Sequence, residues 1–370
     1  MKIRIPWSNP SIGYQEKKNV LHCFKVNRFT QSAKVEKFER KISKFVSAKY
    51  AVAVSNGTVA LDLAYKAINL KKNDEVIVPS ISYISTATAV SYQGAIPVFV
   101  DVDINTGCID PSKIEKAITK KTKAISFIDY GGIPADYKKI KIISKKYRIP
   151  IVLDAAQSLG AKQHELPLGS GGLISTMSFH MAKIITTVEG GVIFTNKKKL
   201  YDKLKILRNI GEPKNKKYQH VLLGTNARMT DIQASFGLSQ MNKINKILKE
   251  RQRVAKTYDL MFKNNMLITK LNSKKSNDVV SNFFYPILIN NRDKVAKQLL
   301  TMYGIDTRVC YPKPIYDQPI YKKNILKYKK FPCLNAEKIC KKVLNLPIFP
   351  DLKKNEILYV VKCLNKLLTF

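Results

Sequence analysis

The 370-residue sequence is poor in the features that mark several protein classes. Its six cysteines (Cys23, Cys108, Cys310, Cys333, Cys340, Cys363) form no C-x-x-C pair and no zinc-ligand spacing. That excludes a small disulfide scaffold and gives no metal site. No run of 18 uncharged apolar residues occurs, so no membrane span is expected. The opening Met1-Lys2-Ile3-Arg4-Ile5-Pro6 lacks the apolar stretch of a signal peptide. A soluble protein of the reducing cytoplasm, with no membrane partner, is expected. Acids are scarce too: 27 Asp+Glu face 65 Lys+Arg, for a formal net charge of +38. Such a charge invites a nucleic-acid reading, because clustered cations release counterions from phosphates. Arginine, whose planar fork reads phosphates and bases, is nearly missing, with 10 Arg against 55 Lys. There is no helix-turn-helix, zinc finger or RNA-binding aromatic motif. The charge therefore reads as a solvated coat, and no nucleic-acid partner is expected.

What is present is core material. Hydrophobic residues make up 45% of the chain, which excludes wholesale disorder. The length fits two domains, or one large α/β domain with an appendage. Residues 1–30 mix Pro, Asn, Ser and aromatics and read as an extended arm. Val35, Phe38, Ile42 and Phe45 follow at helical spacing. Short apolar runs then alternate with helical stretches: Tyr50-Ala-Val-Ala-Val54, Glu75-Val-Ile-Val78, Ile96-Pro-Val-Phe-Val100, Lys123-Ala-Ile-Ser-Phe-Ile128 and Ile149-Pro-Ile-Val-Leu153. The alternation predicts a mostly parallel sheet with helices on both faces. Residues 226–262 read as one long helical stretch. After a polar breaker at 270–278 the order changes to a strand over 283–289, a helix over 293–303, a Tyr/Pro-rich loop over 311–321 and a closing helix over 355–368. This is the pattern of a smaller α+β domain.

In such sheets ligands sit beyond the carboxyl ends of the strands. Three loops there carry chemistry. Ser55-Asn-Gly-Thr58 joins a strand to a helix, and a helix N-terminus binds anions; an ordinary Ser/Asn cap is the alternative. Neither a Walker loop nor G-x-G-x-x-G is present. Asp154, ending an apolar strand, either caps a helix or holds a cationic ring nitrogen. Lys183 stands alone: no other lysine lies between Lys162 and Lys197. Among apolar and small residues its amine would be desolvated, which lowers its pKa and makes it nucleophilic. A lysine, an acid and an anion pocket are the three parts that pyridoxal phosphate requires. Tyr83, just past Val78-Pro79-Ser80, could cover the ring face; core packing is the alternative.

The sequence resembles the DegT/DnrJ/EryC1/StrS family of pyridoxal-phosphate-dependent nucleotide-sugar aminotransferases, from about Ile5 to the closing helix. The resemblance is carried by Val35-Glu-Lys-Phe-Glu39, Ala51-Val-Ala-Val-Ser-Asn-Gly-Thr58, Val76-Ile-Val-Pro-Ser-Ile-Ser-Tyr83, Asp101-Val-Asp103, Pro134-Ala-Asp136 and Asp154-Ala-Ala-Gln157. It continues through Ser178-Phe-His-x-x-Lys183-x-x-Thr-Thr-x-Glu-Gly-Gly191, Asn226-x-Arg-Met229 with Gln233-Ala234, Gly304-Ile-x-Thr-Arg308 and Leu346-Pro347.

The resemblance implies a fold-type I transferase with a mostly parallel central sheet and a smaller C-terminal α+β domain. Residues 1–30 would be an arm packing on the small domain, 31–250 the large cofactor-binding domain and 251–370 the small domain. It further implies that Lys183 is the catalytic, cofactor-bearing lysine. Asp154 would partner the ring nitrogen, and Gln157 the ring hydroxyl. Gly57, Thr58 and Ser178 would cradle the phosphate, and Tyr83 would stack on the ring. Asn226 would reach the phosphate from the other subunit of a homodimer with shared sites. His180 and Tyr311 would lie toward the substrate. The expected reaction moves an amino group from L-glutamate to a nucleotide-linked ketosugar. Relatives that dehydrate instead carry His in place of the lysine, so Lys183 favours transamination. Departures from the family pattern include Cys310 where His is frequent before Tyr311, Ser32 and Val188 where Gly is common, and Met181-Ala182. They bear on the sugar, not on the cofactor.

Overall fold

The computed structural model describes residues 3–369 except 28, 164, 274 and 276. Seven strands build the central sheet: β1 (Tyr50–Val54), β2 (Glu75–Pro79), β3 (Ile96–Val100), β4 (Thr122–Ile128), β5 (Ile151–Asp154), β6 (Ile174–Ser178) and β7 (Gly191–Thr195). Their spatial order is β1-β7-β6-β5-β4-β2-β3, and Lys329–Lys330 adds a short parallel edge beyond β3. Only β7 runs against the others, pairing antiparallel with β1 and with β6. The remaining pairs are parallel. Strands covered on both faces need continuous apolar runs rather than alternation. β2 shows this, with Val76, Ile77 and Val78 fully buried. β6 and β7 flank the motif of residues 178–191 and add two strands that the alternation upstream does not announce.

The helices follow from their apolar stripes. Val35, Phe38 and Ile42 of α2 (Ala33–Phe45) are all buried, as their spacing predicts. α3 (Gly57–Ala67) packs on β6 and β7. Two expectations change. The arm is not wholly extended: it contains α1 (Tyr14–Lys25), whose buried residues are Glu16 and Cys23. A carboxylate and a thiol make no apolar stripe, so periodicity misses this helix. It binds the helix Asp231–Asn242 by polar contacts, Asn19 Nδ2 to Ser239 Oγ at 2.7 Å and Gln240 Nε2 to Glu16 Oε1 at 2.9 Å. The stretch 226–262 is two helices, Asp231–Asn242 and Ile244–Phe262, because Lys243 leaves helical geometry at φ −115° and ψ 12°.

A second hydrophobic cluster gathers Tyr258, Phe262, Tyr285, Ile287, Leu299 and Val360 around the antiparallel strands Thr269–Lys270, Pro286–Leu288 and Val343–Asn345. Ile5 joins it, where the N–H groups of Arg4 and Ile5 donate to Gly304 O at 2.8 and 3.0 Å. Residues 315–343 instead pack on the first cluster, against the edge of the large sheet. Among the described residues, no helix is long and apolar enough to cross a membrane.

One buried ion pair ties the β1 side together. Arg208 donates to Glu39 Oε1 at 2.6 Å and to Ala53 O at 2.8 Å, while the Ala53 N–H donates to the same Glu39 oxygen at 2.8 Å. The two side chains are 2% and 12% exposed, so removing one strands the other's charge. Glu39→Ala should lower unfolding free energy by about 3–5 kcal/mol, read as a shifted urea midpoint. A loss below about 1 kcal/mol, the scale of an exposed pair, would show that the pair is solvated.

Candidate active site

The strand order brings the carboxyl ends of β1, β5 and β6 to one edge of the sheet. β7 makes this possible, since its first residue, Gly191, faces Val54 on one side and Ser178 on the other. Both flanking contacts are close. A Cβ on Gly191 would stand 2.4 Å from Asn56 O, and a Cβ on Gly57 would stand 2.8 Å from Ser178 Cβ. Glycine at both positions lets the start of α3 meet the end of β6. Asn56 caps α3 through Val59 N–H at 2.9 Å, and Asn56 O takes Ala60 N–H at 3.1 Å. The cap is therefore real, and it leaves the N–H groups of Gly57 and Thr58 as the ones an anion would use. Thr58 Oγ1 lies 2.7 Å from Ser85 Oγ. Gly57, Thr58 and Ser178 are thus brought together.

Lys183 follows on the loop after β6, its N–H donating to His180 O at 2.9 Å. The residue is half-buried. Burial pulls the pKa down to about 8, against the opposing pull of the Asp154 carboxylate and the Cys310 thiol. The amine sits 4.6 Å from the centre of the Phe283 ring. Asp154, 3% exposed at the end of β5, accepts from Thr86 Oγ1 at 2.7 Å and Ala156 N–H at 3.1 Å. Burial raises its pKa; the two hydrogen bonds and Lys183 oppose the rise. Gln157, 1% exposed, accepts Gly131 N–H on Oε1 at 2.6 Å and points Nε2 at Tyr311 Oη, 3.4 Å away. Tyr83 is exposed, with its ring centre 6.3 Å from that of Tyr311. A nucleophilic amine, a buried acid, a hydrogen-bonding amide, an aromatic face and an anion cradle thus share one sheet edge.

Two expected residues are exposed. His180 is exposed and pairs with Glu189, Nε2 to Oε1 at 3.8 Å. Asn226 is exposed on the segment passing the end of β1, where Ser55 N–H donates to Ala227 O at 2.9 Å. Other residues emerge only in three dimensions. Thr86 holds Asp154, and its place three residues after Tyr83 on the helix Ser85–Ser91 was the available signal. Phe283 and Cys310 reach Lys183 from distant parts of the chain, and spacing carries no signal for them. Burial pushes the Cys310 thiol up to about 11, with Lys183 holding it down. A separate surface cleft of about 710 Å³, lined by residues that include Glu39, Tyr50, Arg208 and Arg228, contains none of the clustered groups.

The DegT/DnrJ/EryC1/StrS aminotransferase family matches residues 10–365. The chain belongs to that family. This aminotransferase is 34% identical over 366 residues to the GDP-perosamine synthase of Escherichia coli O157:H7, covering 98% of both chains. It is 32% identical over 359 residues to the UDP-4-amino-4,6-dideoxy-N-acetyl-beta-L-altrosamine transaminase of Helicobacter pylori, covering 95% of this chain and 94% of the relative. Its structure is similar to that of PseC of Helicobacter pylori, an aminotransferase of pseudaminic acid biosynthesis, with a TM-score of 0.93, 29% identity and 99% of each chain covered. It is also similar to Spr1654 of Streptococcus pneumoniae in its PLP form, with a TM-score of 0.92, 27% identity and coverage of 99% and 98%.

Two expectations follow from the geometry. In cofactor-free enzyme, Lys183 should react with an amine-selective reagent with a midpoint near pH 8, since the neutral amine predominates above its pKa of about 8. Peptide mapping across pH tests this; a midpoint near 10.5, the ordinary lysine value, would mean that the amine is solvated. The second concerns Val188, which holds φ +70° although it is β-branched and 59% exposed. This backbone costs a β-branched residue about 1–3 kcal/mol and costs glycine almost nothing. Val188→Gly should raise the urea midpoint by the equivalent of about 1 kcal/mol, after the entropy glycine loses on folding; a lowered midpoint would show that the side chain is held by contacts.

Proposed function

We propose that the chain uses pyridoxal phosphate to move an amino group from L-glutamate to the keto carbon of a nucleoside-diphosphate-linked hexose. The product would be an aminosugar for glycan or polysaccharide synthesis. The observation that carries this reading is the buried Lys183 amine, with its pKa lowered to about 8, within electrostatic reach of Asp154.

The residues fit the cofactor. The N–H groups of Gly57 and Thr58 at the start of α3, with the Ser178 hydroxyl, suit a phosphate dianion. Asp154 has no side-chain cation in hydrogen-bond contact, so a protonated ring nitrogen would supply the missing partner and hold the acid ionised. Gln157 suits the ring hydroxyl, and Tyr83 the ring face. When bound, pyridoxal phosphate supplies a cationic ring that takes up negative charge from the carbon losing its proton. Lys183 would hold the cofactor at rest. As a free amine with a pKa near neutrality it moves a proton from the amino-donor carbon and returns it on the acceptor side. The Phe283 ring lies 4.6 Å from that amine. Tyr311, on the same side as Tyr83 and Gln157, faces the sugar together with His180.

Asn226 supports a homodimer with shared sites: it is exposed, near the exposed apolar side chains Tyr218, Val221 and Leu223, where a partner subunit would bury it. For the division into residues 31–250 for the cofactor, 251–370 for the smaller domain and 1–30 as an arm on the latter, the second cluster and its recruitment of Ile5 are the support, while α1 of the arm packs on Asp231–Asn242 and residues 315–343 pack on the first cluster. Six unpaired cysteines suit a reducing cytoplasm.

The test is direct. Wild-type enzyme with pyridoxal phosphate, L-glutamate and a panel of nucleotide ketosugars should yield 2-oxoglutarate and aminosugar in equal amounts. A 2-oxoglutarate yield of zero alongside loss of sugar oxygen would favour a dehydratase. Lys183→Ala should abolish turnover and the absorbance band of lysine-bound cofactor. Asp154→Asn should keep cofactor bound and slow turnover by roughly a hundredfold or more. Unchanged turnover in Lys183→Ala overturns the reading; wild-type rates in Asp154→Asn would assign the ring nitrogen to another acid.

A further inference from the structure

A second buried carboxylate lies beside Asp154, and the reaction above does not use it. Asp129 directly follows β4 as Asp154 ends β5, and the two strands pair in parallel with Ile128 opposite Asp154. Asp129 is completely buried. Its Oδ1 accepts Ala135 N–H at 3.0 Å, and its Oδ2 accepts Tyr137 Oη at 2.8 Å and Ser158 Oγ at 2.5 Å. All three partners are donors and none is a cation. Burying a carboxylate on those terms is costly, and burial, with Asp154 nearby, pushes this one up to about 6.

Two of its donors, Ala135 N–H and Tyr137 Oη, lie within its own loop and the helix after it, where glycines already provide the turn. Gly131 and Gly132 make the turn at φ +66° and +83°, and Asp136 caps the helix that follows. What Asp129 adds is a link between two loops. Ser158 is the neighbour of Gln157, whose Oε1 already accepts Gly131 N–H at 2.6 Å and whose C=O accepts Ser281 Oγ at 2.9 Å. The loop after β4 therefore grips the turn after β5 at two adjacent residues. Asp129 holds Ser158, and Gly131 holds Gln157. Asp154, the Gln157 amide and Ser158 lie within five residues of one another, so this grip sets how the turn presents its acid and its amide.

We propose that Asp129 is a positioning residue of this aminotransferase, fixing the turn at residues 155–158, and with it the Gln157 amide, through Ser158. The inference rests on the roles assigned above to Lys183, Asp154 and Gln157. It extends the site to a residue that touches neither substrate nor cofactor.

The test uses full-length enzyme loaded with pyridoxal phosphate and five variants: Asp129→Asn, Ser158→Ala, Gln157→Ala, and Ser158→Ala and Asp129→Asn each combined with Gln157→Ala. Ser158→Ala cuts the link and leaves Asp129 two donors, so it serves where Asp129→Asn fails to fold. Ser158→Ala should lower kcat by roughly 10–100-fold, leave KM for L-glutamate within about twofold of wild type, and shift the pH midpoint of the lysine-bound cofactor band in the direction seen for Gln157→Ala. Each double variant should be no slower than Gln157→Ala alone, because both changes act on one group. A wild-type band and kcat in Ser158→Ala, or losses that multiply in the double variants, overturn the inference. A merely structural role would lower the urea midpoint and leave the band in place. If wild type forms no lysine-bound cofactor band, the assignment of Lys183 fails and takes this inference with it. If it forms the band and the variants match it, only this inference fails.

Discussion

The desolvation of one amine organises this protein. A lysine in water is charged at neutral pH and is a poor base or nucleophile. Burial pulls Lys183 down to about 8. The same burial would be ruinous beside an apolar wall alone, and the chain moderates it with Asp154 and the Phe283 ring. Each of these arrives from a different place: the lysine from the loop after β6, the acid from the end of β5, the aromatic from the segment before Pro286–Leu288. The large sheet and the smaller antiparallel one must therefore be in register for the amine to have the right surroundings. Strands far from the chemistry matter because they set that register.

The antiparallel strand β7 has a particular part in this. A purely parallel arrangement would send the chain over one face of the sheet after β6, and the loop carrying Lys183 would leave the carboxyl edge. Here the chain turns back at once through residues 179–190, so the lysine stays at the strand ends. Gly191 then passes between β1 and β6 where no side chain fits, with Asn56 O only 2.4 Å from where a Cβ would stand. The anion cradle and the lysine loop are thus two consequences of one reversal. Val188 shows the tightness of that reversal, being held in a conformation that suits glycine.

Much of this was legible in the sequence for identifiable reasons. Buried strands must be continuously apolar, so β1 to β5 announce themselves, and the strand-end rule then points at Ser55–Thr58 and Asp154. Lys183 was legible because lysine is missing around it. Other features were silent because their physics leaves no periodic trace. α1 buries a glutamate and a cysteine, so no stripe forms. Phe283 and Cys310 meet Lys183 across a hundred residues of sequence or more, and nothing in local pattern encodes that meeting. Asp129 stood in plain sight after β4, yet its donors come from its own loop and from the turn after β5, and only their convergence distinguishes it from an ordinary loop acid. Thr86 is similar: beyond its place three residues after Tyr83, a threonine in a small-residue helix has no signature until its hydroxyl is found on Asp154.

The charge of +38 takes its meaning from the same contrast. No lysine lies between residues 73 and 112, 149 and 161, or 218 and 242, the windows that hold Tyr83, Asp154, Gln157 and Asn226. The excess is carried by outer helices such as Tyr137–Tyr147 and Lys198–Arg208. At physiological salt the Debye length is about 8 Å, so those exposed ammonium groups are largely screened from the buried amine and leave its pKa to its own neighbours. They still surround the molecule with positive potential, which raises encounter rates for anionic ligands at low salt. A nucleotide-linked substrate would be drawn by the coat and then read by a site built around one lysine, Lys183. Separating attraction from recognition in this way lets the surface be strongly basic while the chemistry depends on one lysine whose pKa is pulled down to about 8.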